Sequence, residues 1–134
     1  MISAARARAL RDAGLVWTPA SGDAFRIDSA EFDGDTFTVS DMTVEPHRFD
    51  TGTILGFNGT TEWALDSVAL EDALWLPRED QLRELLGAAF LALKRIDGGY
   101  RADAAIGGSL VHFYDDEPAD AYAQALLALC NGVA

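Results

Sequence analysis

The side chains best placed to do chemistry surround one predicted hairpin turn, Asn58-Gly59. An Asn-Gly pair between two strand-like runs predicts a tight two-residue turn, because both central residues of that turn need a positive φ. Such a turn sets Phe57 opposite Thr60 and Leu55 opposite Glu62, and directly opposed residues share a face of the sheet. The predicted face combines apolar and acidic groups, and we take four of them as candidate binding residues: Leu55, Phe57, Glu62 and Asp66.

Three interpretations of this face remain open. The first is the solvent side of an antiparallel sheet, shielded in part by a loop. The second is a contact surface for a partner protein or for a second copy of the chain, since apolar groups rimmed by polar ones often mark interfaces. The third is a catalytic pair of carboxylates, Glu62 and Asp66.

The histidines and the single cysteine give no recognised metal or nucleophile pattern. His47 and His112 lie in different predicted strands, without the H-x-x-x-H or H-x-H spacing. Glu45 lies on the same side of its strand as His47, but two ligands are too few for a zinc site, which usually has three or four. A solvated or hydrogen-bonded role is therefore favoured for both histidines. Cys130, beside Leu129, is predicted to fill space in the core.

Motifs that bind cofactors or carry nucleophiles are missing from the sequence. The pairs Gly98-Gly99 and Gly107-Gly108 lack the frames of phosphate-binding and dinucleotide-binding loops. Gly108-Ser109 lacks the second glycine of a nucleophile elbow, and Asp33-Gly34-Asp35 is too short for a calcium loop. We therefore predict no cofactor, no metal and no catalytic residue.

The elements that must position these residues read as helices and short strands in irregular order. Ser3 is a predicted N-cap for a helix over 4–13, a second helix follows Pro77, and Asp116 is the predicted cap of a last helix. The strand-like runs are 25–27, 36–39, both arms of the Asn58-Gly59 turn, 91–96, 100–106 and 110–114. Pro46 suggests an edge strand. The pattern predicts an α+β fold: a mostly antiparallel sheet of about 5–7 strands with two or three helices packed on it.

Composition and charge narrow the class of protein. A chain of 134 residues, 49% of them hydrophobic, predicts a single domain over 1–134. One cysteine, arginines near the N-terminus and no long apolar run predict a soluble, cytoplasmic protein without a membrane span. Residues 12–77 hold thirteen acidic side chains against two basic ones, within a net charge of −12. This charge suits solubility or a basic protein partner and disfavours nucleic acid.

Three segments together resemble a family of small uncharacterised proteins from actinobacteria, and the resemblance covers nearly the whole chain. The segments are Asp41-Met42-Thr43-Val44, the run from Gly56 to Ser67, and the run from Leu74 to Arg83. Some members carry a pilus-assembly label. The pilus-assembly ATPases have a nucleotide-binding loop, and this sequence has none, so the label receives no support here. The resemblance implies a small cytoplasmic bacterial protein and transfers no catalytic residue.

Taken together, the sequence predicts an acidic, non-enzymatic protein-binding or regulatory module. The alternative is a small-molecule-binding protein or minor enzyme that uses Glu62 or Asp66 with His47 or His112. A further alternative is a homodimer through the mixed face of the Asn58-Gly59 hairpin.

Overall fold

The computed structural model describes residues 1–27, 35–39, 44–49, 52–57, 67–69 and 72–132, with the backbone alone at 44–49, 52–57 and 67–69. The described part contains three α-helices and nine strands. The helices are α1 (Ala4–Asp12), α2 (Glu79–Leu86) and α3 (Pro118–Asn131). The strands are β1 (Ala24–Ile27), β2 (Thr36–Thr38), β3 (Val44–Phe49), β4 (Gly52–Phe57), β5 (Ser67–Ala69), β6 (Ala73–Leu76), β7 (Phe90–Ile96), β8 (Gly99–Ile106) and β9 (Ser109–Asp115).

The predicted α+β class is confirmed, but the strands do not form one sheet of about 5–7. In the described ranges they form three antiparallel sheets of three strands each, in the orders β2-β1-β6, β3-β4-β5 and β7-β8-β9. Pro46 lies in β3, an edge strand as predicted. Strand β6 was not among the predicted strand-like runs.

The chain divides into two compact units, Met1–Val16 with Pro77–Ala134, and Trp17–Leu76. The single domain predicted for 1–134 stays a prediction. In the unit Trp17–Leu76, aromatic rings form the core of the first sheet. The ring of Trp17 stacks on that of Trp75, with centroids 6.4 Å apart, and also contacts Phe25 at 5.4 Å. Trp17 is buried in this core and Trp75 is partly buried against it.

A buried carboxylate completes this core. Asp23, 3% exposed, accepts a hydrogen bond of 2.9 Å from the indole Nε1 of Trp17 and one of 3.0 Å from the Ala20 backbone N–H. Because a buried carboxylate must be hydrogen-bonded to remain stable, the two donors keep Asp23 compatible with its apolar neighbours. The contact also fixes the orientation of the Trp17 ring.

In the other unit, α3 packs on β8 and β9 and also contacts α1 and α2. Small side chains allow this close approach: Ala102 and Ala104 on β8, and Ala121 and Ala125 on α3, are almost fully buried. Phe90 on β7 contacts the ring of Tyr122 on α3 at 5.5 Å. The face of the β7-β8-β9 sheet that carries Ala102 and Ala104 is therefore the inner face, covered by α3.

The predicted helix boundaries are confirmed at one end and corrected at others. Ser3 caps α1, since its Oγ accepts a hydrogen bond of 3.2 Å from the Arg6 N–H. The last helix begins after Glu117 rather than with Asp116 as its cap. Helix α2, the predicted helix after Pro77, ends at Leu86, and Phe90 starts β7. None of the helices in the described ranges is long and apolar enough to cross a membrane.

Candidate functional site

The predicted site around Asn58-Gly59 falls largely outside the described residues. Glu62, Asp66 and the turn itself are not described, and Leu55 and Phe57 are described only as backbone positions of β4. Leu55 pairs with Pro46 on β3 and with Val68 on β5. These four side chains therefore stay a prediction as a binding site.

The register predicted from that turn is wrong. Both neighbours of β4 are assigned, and Leu55 lies opposite Val68 where the two-residue turn required Glu62. The difference is a slip of six residues along the partner strand. Side chains alternate with a period of two, so a slip by an even number leaves the apolar and polar pattern intact. The pattern alone could not separate the two registers.

A different hairpin does hold a two-residue turn, and it organises the best-defined polar cluster. Gly107 and Gly108 connect β8 to β9, with φ values of 60° and 83°. The turn sets Ile106 opposite Ser109, and the same register places Asp103 directly opposite His112. Only glycine enters this region of φ without steric cost, which is why the turn and its register are well specified.

Asp103 is the centre of this cluster. Its side chain is 8% exposed. Its Oδ1 accepts a hydrogen bond of 2.8 Å from Nε of Arg101 and lies 2.6 Å from Nδ1 of His112. Its Oδ2 accepts a second hydrogen bond, of 3.2 Å, from the NH2 group of Arg101. Arg101 thus donates to both carboxylate oxygens, and His112 contacts one of them from the neighbouring strand. Such charge-assisted hydrogen bonds are strong and directional.

These contacts set the charge state of the cluster. Burial of Asp103 opposes ionisation, but the hydrogen bonds from His112 and Arg101 outweigh it, so the pKa of Asp103 is lowered. The hydrogen bond to Asp103 in turn raises the pKa of the Arg101 guanidinium. The carboxylate therefore stays ionised, and His112 donates to it from Nδ1.

Around the cluster lies the outer face of the β7-β8-β9 sheet, opposite the face that α3 covers. Register and alternation place ten residues on it: Ala92, Lys94, Ile96, Gly99, Arg101, Asp103, Ala105, Leu110, His112 and Tyr114. Leu110 is 59% exposed and Tyr114 is 56% exposed. Two large apolar side chains thus stand in solvent on either side of a fixed imidazole.

A histidine held by an aspartate can act as a general base, and here Arg101 shares the carboxylate that holds His112. Within the described ranges, no group of three His, Cys, Asp or Glu side chains is arranged to hold a metal ion. Cys130 is exposed near the end of α3, so its predicted role in the core is wrong.

The sequence contained the signal for this cluster. Applied to Gly107-Gly108, the hairpin rule that we applied to Asn58-Gly59 pairs Asp103 with His112 and Arg101 with Tyr114. The expectation that His112 is solvated or hydrogen-bonded is confirmed, since its ring bonds to Asp103. His47 lies in β3, paired with Ile54, and is described by its backbone only.

Comparison with known proteins adds no family to this geometry. No protein-family model matches the chain, and neither the curated proteins nor the solved structures contain a match. The resemblance to small actinobacterial proteins therefore stays a prediction.

Proposed function

We propose that this protein is a non-enzymatic protein-binding domain, and that the outer face of the β7-β8-β9 sheet binds an acidic segment of a partner polypeptide. The observation that carries the proposal is the exposure of Leu110 and Tyr114 on either side of His112, beside a buried and fully hydrogen-bonded Asp103.

The apolar part of this face has the character of a contact surface. Exposed apolar groups rimmed by polar ones are typical of interaction sites, and tyrosine is enriched among the residues that dominate binding energy. Leu110, His112 and Tyr114 alternate along β9, so a bound segment would meet them at intervals of about 7 Å. The Asp103 contacts hold His112 in place and lower the entropic cost of binding.

The charges of this face favour an acidic partner. Asp103 is buried and already paired with Arg101, so the charged group presented most openly to solvent is Lys94, which lies opposite Arg101 on β7. A positive surface on a chain of net charge −12 is complementary to carboxylates. The basic partner expected from residues 12–77 stays a prediction for that acidic part of the chain.

The test is a selection of random linear peptides displayed on phage, followed by titration of the enriched peptides. We expect enriched peptides to combine Asp or Glu with an aromatic or branched aliphatic residue. Tyr114→Ala should lower the affinity for these peptides at least about fivefold, as loss of a dominant contact does. Lys94→Glu should lower the affinity about two- to fivefold, the effect expected from loss of an exposed charge pair.

Arg95→Glu is the matched control for Lys94→Glu. It makes the same change of charge at the adjacent exposed position, which pairs with Tyr100 and so belongs to the other face of the sheet. Enrichment of basic peptides, or equal loss of binding in Arg95→Glu and Lys94→Glu, would show that the outer face is not the binding surface.

The second candidate, a small-molecule site or minor enzyme, keeps His112 as its one described residue. Its support is the distance of 2.6 Å between Nδ1 of His112 and Oδ1 of Asp103, a contact that holds the imidazole in place. Glu62 and Asp66, the carboxylates first assigned to this role, lie outside the described residues.

A further inference from the structure

We propose that two copies of this chain pair through β9, the edge strand Ser109–Asp115, in an antiparallel arrangement whose two-fold axis passes beside His112. The two copies' β7-β8-β9 sheets then form one continuous sheet. The proposal uses the backbone edge of the strand and does not depend on the function proposed above. It also differs from the homodimer predicted through Leu55 and Phe57.

The two edges of the β7-β8-β9 sheet are built differently. Strand β7 carries features that discourage pairing: an irregular register between Phe90 and Ala92, and the exposed cations Lys94 and Arg95. Strand β9 keeps a continuous register with β8 and contains no proline, lysine or arginine. Because exposed edges are normally protected by bulges, charges or proline, the edge of β9 is better suited than that of β7 to pair with another strand.

Half of the backbone N–H and C=O groups of β9 point away from β8, towards the position that a paired strand would occupy. Residues that flank a two-residue turn form a hydrogen-bonded pair, so Ser109, Val111 and Phe113 bond to β8. The N–H and C=O groups of Leu110, His112 and Tyr114 then point away from β8. The side chain of Gln124 supports this direction, since its Nε2 donates a hydrogen bond of 2.7 Å to the Tyr114 carbonyl. That carbonyl keeps a second lone pair for another donor.

The residue sequence along this edge is self-complementary. With the axis beside His112, Leu110 lies opposite the partner's Tyr114, and Tyr114 lies opposite the partner's Leu110. Aliphatic and aromatic side chains are favourable cross-strand pairs. His112 then lies opposite the partner's His112, while each imidazole keeps its own Asp103.

Charge supports a second copy at this place. A chain of net charge −12 repels its own copies over most of its surface. The stretch from Ala104 to Tyr114 contains no acidic residue, and Asp115 at its end is paired with Arg6 at 3.3 Å. The edge of β9 is therefore a place where two copies can approach without opposing carboxylates.

Sedimentation velocity over a range of concentrations tests the proposal. We expect the mass of the wild-type protein to rise from 14.4 kDa towards twice that value. Leu110→Lys places a cation on the β9 edge and should keep the protein monomeric. Leu91→Lys is the matched control on the β7 edge, where the wild-type residue is 53% exposed against 59% for Leu110, and it should dimerise like the wild type.

A cross-linking experiment fixes the register and does not depend on the lysine variants. In a Cys130→Ser background, His112→Cys should form a disulfide-linked dimer on mild oxidation, because hydrogen-bonded antiparallel pairs have Cα atoms about 5.5 Å apart. Leu110→Cys should not, since two residues on each side of the axis separate the thiols by roughly 13 Å along the strands. A wild type that stays at 14.4 kDa, dissociation caused by Leu91→Lys, or equal cross-linking of both cysteine variants would overturn the proposal.

Discussion

Asp103 has a counterpart that separates the effect of burial from that of charge. Arg101 and Asp103 are two residues apart with a shortest distance of 2.8 Å, and Arg78 and Asp80 have the same spacing at 3.1 Å. The Asp103 side chain is 8% exposed, whereas that of Asp80 is 59% exposed. An exposed ion pair contributes little to stability, but removing one partner of a buried one leaves the others unsatisfied. The two aspartates should therefore respond very differently to the same substitution.

We expect Asp103→Asn to lower the free energy of unfolding by about 1–3 kcal/mol at neutral pH. Asp80→Asn, the control, should have little effect on stability, because solvent screens an exposed ion pair. Because the folded pKa of Asp103 is lowered, its contribution is present above the unfolded value of about 3.9 and is lost as the pH falls through the folded pKa. Urea titrations at several pH values should show the wild type approaching Asp103→Asn in acid. A difference that stays constant down to low pH would contradict the ionised state of Asp103.

At the scale of the element, neighbouring alanines of β8 lie on opposite faces of the sheet. Ala104 is fully buried beneath α3, while Ala105 lies on the outer face and is half-buried. Ala104→Leu should destabilise the protein by about 1–3 kcal/mol, because the close approach of α3 leaves no room for extra methylene groups. Ala105→Leu should change stability by less than about 0.5 kcal/mol. Chemical denaturation measures both, and equal costs would show that α3 does not cover the inner face as described.

At the scale of the whole molecule, the two compact units carry different spectroscopic probes. All three tryptophans, Trp17, Trp63 and Trp75, belong to the unit Trp17–Leu76, and all three helices belong to the other. If the segment Trp17–Leu76 unfolds alone, it becomes a long loop inside the other unit, and closing that loop costs roughly 3–4 kcal/mol. We therefore expect tryptophan fluorescence and helical circular dichroism to change at the same denaturant concentration, as the single-domain prediction requires. Two separate midpoints would show two independent domains.

Local rules of the chain predicted a large part of the elements. The Ser3 cap, the hairpin turning at Asp97-Gly98 and the strand around His112 follow from capping, turn chemistry and alternation. The α+β class follows from the order of helices and strands. These features depend on residues close together in the chain, so local preferences are enough to specify them.

Pairings over longer distances were decided by the tertiary structure. The alternation of side chains in β4 fits both Glu62 and Val68 opposite Leu55, and only the packed backbone selects Val68. In the sequence Asp103 is not distinguished from the other acidic residues. In the folded protein, burial and the contacts of Arg101 and His112 give it a defined charge and orientation. The sequence fixes which residues can alternate or turn, because those preferences are local. Which surfaces meet depends on burial, and burial exists only once the chain has folded.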